Sequence, residues 1–121
     1  DFELQRMEDG GYLYEKVIDT ACGWGTTDNL MFVVGATQAK MLRGIRRLIP
    51  NHFLLGPGVG AQGGSLEEVA RYGMNGRCGL LVNSSRSIIY ADSTERFAEA
   101  AAEKSAELAA EMAGLLDSYL K

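Results

Sequence analysis

The chain has 121 residues, 46% of them hydrophobic and 23% charged, and 12 basic against 16 acidic side chains leave a formal charge of −4 at pH 7. That composition is ordinary for a soluble globular protein, and the length is expected to hold one compact domain rather than a multidomain machine. It also argues against wholesale nucleic-acid binding, which needs a basic face to neutralise phosphates. No run approaches the ~20 apolar residues of a membrane span, and the acidic opening DFELQRMEDGG lacks the apolar stretch of a signal peptide. Cys22 and Cys78 show no CxxC spacing and His52 is the only histidine, so neither a disulfide framework nor a zinc site is supported. A reducing, cytoplasmic setting is expected.

Tyr14, Val17, Ile18, Ala21 and Cys22 recur at the spacing of one buried helical stripe, and Gly23 and Gly25 end it. LMFVVGA, residues 30–36, is a short continuous apolar run with a β-branched centre, the pattern of a strand buried on both faces. Met41, Leu42, Ile45, Leu48 and Ile49 predict a helix closed by Pro50, with Arg43, Arg46 and Arg47 on its solvated side. HFLLG, residues 52–56, is a second strand whose exit is the glycine-rich PGVGAQGG, residues 57–64. Ser65 followed by Glu68 fits a capping box for a third helix with Leu66, Val69 and Ala70 on its apolar side. CGLLV, residues 78–82, is a third strand, with Cys78 as a small core residue. NSSRSIIYAD follows, with a short helix expected around SIIYAD. An alanine- and glutamate-rich helix over 93–121, capped by Asp92 or Ser93, would be ~40 Å long; its stripe is Phe97, Ala101, Leu108, Met112, Leu115 and Tyr119. Short, non-alternating strands that alternate with helices predict an α/β fold with a parallel sheet.

In such folds ligands sit beyond the C-terminal ends of the strands. Fifteen glycines against two prolines is an unusual ratio, and five of them, Gly56, Gly58, Gly60, Gly63 and Gly64, crowd the exit of the second strand. They let backbone amides close around an anion, or they serve only a tight strand-to-helix turn. Gln62 is the side chain of that loop able to hydrogen-bond a ligand through its amide. Beyond the third strand Arg86 follows two serines, where a guanidinium grips phosphate through two parallel bonds. Taken together, the two loops favour a phosphate site. No Ser/His/Asp or Cys/His arrangement, acid pair or metal-ligand cluster stands out.

LMFVVGAT, FLLGPGVGAQGG and LLVNSSRSIIYA together resemble orotidine 5′-phosphate decarboxylase, in particular its longer bacterial type, over about residues 12–100. The family is a homodimeric (β/α)₈ TIM barrel that converts orotidine 5′-phosphate to UMP and CO₂ without metal or organic cofactor. The resemblance implies that the three strands are the sixth to eighth of the barrel, and that residues 1–121 form a partial domain, its C-terminal half. It implies that Gln62, Arg86 and backbone amides near Ser85 hold the 5′-phosphate of a nucleotide monophosphate. Pro57, Gly58, Val59, Gly60, Ala61, Gly63 and Gly64 would then form the flap that closes over it. The family's lysine and aspartates have no counterpart here, so no residue of this chain is expected to be catalytic. Where Ser87 stands the bacterial pattern usually has glycine.

A closed barrel needs ~250 residues. The chain is therefore expected to be a fragment, by proteolysis or truncation, as its opening Asp1 also suggests. It would associate with its missing N-terminal half or with another copy of itself. Two readings compete with this one: a stand-alone nucleotide-binding or assembly module, and a related barrel acting on sugar phosphates.

Overall fold

The computed structural model describes residues 4–35, 39–57 and 65–120, with the side chains of 39, 40 and 57 outside that description. Its elements in order are α1 (Leu13–Cys22), β1 (Phe32–Val33), α2 (Ala39–Leu48), β2 (Leu54–Pro57), α3 (Leu66–Gly73), β3 (Leu80–Asn83), α4 (Arg86–Ile89) and α5 (Phe97–Tyr119). The strands form one sheet in the order β1-β2-β3. Both pairings are parallel, with Phe32 opposite Leu54, and Leu54, Gly56 and Pro57 opposite Leu80, Val82 and Asn83.

Each helix is ordered by an apolar stripe. Ile18 and Ala21 of α1, Leu42 and Ile45 of α2 with Ile49 just after it, and Leu66, Val69 and Ala70 of α3 are buried against Leu54 and Leu80 of the sheet. Leu42, Ile49, Leu54 and Val69 are its largest fully buried side chains. Gly56 passes under this layer: a Cβ there would lie 3.7 Å from Val69. At the start of α3 the Ser65 hydroxyl accepts from the Glu68 amide at 3.4 Å, so half of the expected capping box is seen.

Several expectations need correction. Val17 and Leu48, assigned to buried stripes, are exposed. β1 is only two residues long, and Val33 is 69% and Leu81 48% exposed. Side chains alternate across a strand, so Phe32, Leu54 and Leu80 face the helices, whereas Val33, Leu55 and Leu81 face the opposite side. On that side Val33 and Leu81 remain exposed, with residues 27–31 and Phe53 bordering a cavity beside Leu81. The second strand starts at Leu54, so His52 precedes it; its ring packs edge-on against Phe32 with centroids 5.5 Å apart. Cys78 does not open β3. It sits at φ +71°, two reciprocal 3.0 Å backbone bonds pair it with Asn75, and Gly79 follows at φ +61°. The chain thus makes a tight left-handed turn before the strand begins.

The last helix starts at Phe97, not at 93, because Asp92 is used differently: its carboxylate accepts from the Thr94 amide at 2.6 Å and folds the chain into an Asx turn. The 23-residue helix, ~34 Å long, buries no residue fully. Leu108, Met112 and Leu115 rest on the core, while Phe97 and Tyr119, at the ends of the expected stripe, are exposed.

Arg46 is the largest departure. Placed on a solvated face by its periodicity, it instead donates to five backbone carbonyls: from Nε and Nη2 to Gly73 (2.8 and 2.5 Å), from Nη1 to Ile49 and His52 (2.9 and 2.7 Å), and from Nη2 to Gly79 (2.8 Å), with Pro50 at 3.4 Å. Burial lowers its pKa, an effect the neighbouring Cys78 partly opposes. Asn75 adds a bond to the Pro50 carbonyl at 2.9 Å. The segments entering β2 and β3 are thereby braced to each other at the N-terminal edge of the sheet.

Candidate phosphate site at the strand exits

The opposite edge is built differently. Because Pro57 pairs with Asn83, and adjacent strands lie ~4.8 Å apart, the chain leaving β2 and the chain leaving β3 depart side by side. The first departure leads into the glycine-rich loop and the second reaches Ser84, Ser85 and Arg86 within three residues. Of the residues expected to form the site, Pro57 closes β2. Gly58, Val59, Gly60, Ala61, Gln62, Gly63 and Gly64 lie outside the described residues.

Ser85 is the residue before α4, with φ −113° and ψ −63°, and its hydroxyl makes no capping bond. Its carbonyl instead closes the first turn, accepting from Ile88 and Ile89 at 3.1 and 2.8 Å. Arg86 is exposed as the first residue of α4, and its carbonyl accepts from Tyr90 at 3.0 Å. The expected short helix is thus present, though it ends at Ile89 rather than running on through Asp92.

Two half-buried serines flank this pair. The hydroxyls of Ser84 and Ser87 lie 2.5 Å apart, joining the exit of β3 to the first turn of α4. Behind them, between α4 and α5, is a cavity of ~150 Å³ bordered by Ile88, Lys104 and Leu108. The Lys104 ammonium is engaged with Glu107 at 2.7 Å, and that hydrogen bond raises its pKa. The Ser84–Ser87 link had no sequence signal beyond a run of three serines around an arginine. Among the described residues no group of His, Cys, Asp or Glu side chains is arranged to hold a metal ion, and no helix is long and apolar enough to cross a membrane.

No family model matches the chain. It is 64% identical over 102 residues to an orotidine 5′-phosphate decarboxylase of Porphyromonas gingivalis, an alignment covering 84% of this chain and 37% of that protein. To the enzyme of the same name from Bacteroides fragilis it is 52% identical over 120 residues, 99% of this chain and 44% of that one. Among solved structures the OMP decarboxylase of Leishmania donovani superposes with a TM-score of 0.65 at 32% identity, covering 85% of this chain and 38% of that chain. The three strands and their helices are accordingly part of a TIM barrel, and the chain spans about two fifths of the length of the curated relatives it matches.

Proposed function

We propose that this chain, homologous over most of its length to orotidine 5′-phosphate decarboxylases, is the phosphate-gripping C-terminal part of such an enzyme. Residues 1–121 would form one partial domain of its barrel. The intact protein would remove CO₂ from orotidine 5′-phosphate to give UMP, as a cytoplasmic homodimer without metal or organic cofactor. The observation that carries the reading is the Pro57–Asn83 register, because it starts the glycine-rich loop and the Ser85–Arg86 turn from neighbouring positions on one sheet edge.

In this reading Arg86 holds two phosphate oxygens through parallel charge-assisted bonds, and Gln62 adds its amide. Ser85 sets the turn from which Arg86 projects. The loop from Pro57 to Gly64 folds over the nucleotide. The grip lies far from the carboxylate that leaves, so its binding energy serves to hold the ring against the reacting groups. Those groups, a lysine and aspartates in the resembling family, would come from the rest of the barrel. A stand-alone module is the weaker alternative, because Val33 and Leu81 stand uncovered on the inner side of the sheet and an apolar face of that kind calls for a covering layer.

The test is a chimera in which the N-terminal part of the P. gingivalis relative is joined to this chain, with UMP formation as the readout. The chimera is expected to turn over orotidine 5′-phosphate. Arg86→Ala should lower kcat/KM by ~30- to 1,000-fold, the value of one or two charged hydrogen bonds, and leave turnover of phosphate-free orotidine unchanged. An Arg86→Ala chimera with undiminished kcat/KM, or a chimera that prefers a sugar phosphate, would overturn the proposal.

A further inference from the structure

Resting on the phosphate assignment of Arg86, we infer that Ser84 and Ser87 are positioning residues that fix the direction in which Arg86 is presented. Arg86 is the first residue of a helix only four residues long, too short to be held by its own backbone bonds. Side-chain capping is also missing, since the Ser85 hydroxyl makes no such bond. The 2.5 Å contact between the Ser84 and Ser87 hydroxyls spans Ser85 and Arg86 like a clasp and joins this turn to the end of β3. Both serines are half-buried, and the cavity of ~150 Å³ beside them has room for water. A hydroxyl stripped of its partner would be rehydrated there, so removing the clasp costs orientation more than fold stability. A guanidinium gripping two oxygens at once is sensitive to that loss, because misplacement by ~1 Å at a remote anchor carries through to the reacting centre.

The experiment uses the same chimera with Ser84→Ala, Ser87→Ala and both together, each also in an Arg86→Ala background. Turnover of orotidine 5′-phosphate and of phosphate-free orotidine is measured throughout. Each serine variant, and the pair, should lower kcat/KM for the phosphorylated substrate by the same ~3- to 10-fold, about one net hydrogen bond. Phosphate-free orotidine should be turned over at the original rate, which also shows that the variants are folded. Threonine at either position, keeping the hydroxyl, should restore activity. Once Arg86 is alanine, the serine substitutions should have no further effect. Unchanged kinetics in the serine variants, with Arg86→Ala still impaired, overturns this inference and leaves the phosphate assignment standing. Equal loss on both substrates overturns it in favour of a structural role, and an Arg86→Ala variant without effect overturns both.

Discussion

Replacing Arg46 by alanine tests the brace at the N-terminal edge of the sheet. Its five short bonds engage all five N–H donors of the guanidinium. Of the acceptors, the Gly79 carbonyl keeps a second partner in the Leu54 amide at 2.9 Å, which leaves Ile49, His52 and Gly73 to lose the bond described for them. At ~1 kcal/mol for each orphaned, partly buried carbonyl the variant should be destabilised by about 3 kcal/mol. That is a large share of the ~5–15 kcal/mol available to a typical domain. Lysine, with one donor centre and no fork, should recover less than half. Urea unfolding of the chimera, followed by far-UV circular dichroism with the slope unchanged, gives the number. A loss below ~1 kcal/mol for Arg46→Ala would mean that water satisfies these carbonyls and that the brace contributes little.

Five other outcomes are expected. Leu54→Ala, at a fully buried position beneath α2 and α3, should cost ~2–5 kcal/mol in the same assay. Gly79→Ala should fail or be strongly destabilised, since its φ is +61° and a Cβ would lie 2.3 Å from the Asn75 amide nitrogen, whereas Cys78→Gly should relieve left-handed strain and be neutral or stabilising by ~1 kcal/mol. His52→Phe should be tolerated, because both buried ring nitrogens lack a hydrogen-bond partner among the described residues and the edge contact with Phe32 survives; a clear loss of stability would reveal a bond to those nitrogens. The Thr94 amide and then the Thr94 hydroxyl hold the Asp92 carboxyl below its ordinary 3.8. A depressed carboxyl stabilises the fold above its unfolded value and loses that contribution as pH falls through the folded one, so the turn before α5 should loosen only in acid. An NMR titration placing Asp92 at or above 3.8 would contradict this.

The parallel α/β order was legible because each strand is a short apolar run ended by glycine or a polar turn, and because Leu66, Val69 and Ala70 after Ser65 state a helix and its cap locally. The candidate site was legible only as a position in the fold: Ser85 and Arg86 follow β3 at the start of a short helix, and the family resemblance rested on those same segments. Arg46 was misread because periodicity sees only neighbours along a helix, while its partners Gly73 and Gly79 lie 27 and 33 residues on. Val33 belongs to a run expected to be buried on both faces because its composition answers to the whole barrel, whereas among the described residues it is left exposed. The start of α5 was misplaced because Asp92 closes an Asx turn, a local bond that competes with capping a helix.

Among the described helices of eight residues or more, the one behind the Ser85–Arg86 turn is the least anchored. With no residue fully buried and its hold limited to Leu108, Met112 and Leu115, α5 should open to solvent at a lower free energy than the α2–α3 layer, and its amides should exchange hydrogen soonest among the long helices. α4 packs on α5, so each such opening also removes one support from the turn that carries Arg86, which the Ser84–Ser87 contact still joins to β3. If Arg86 has the proposed phosphate role, an anion bound there would immobilise both elements, and part of its affinity would be spent on quieting them. Slowed exchange along α5 when UMP binds the chimera would register that ordering at amides far from the ligand.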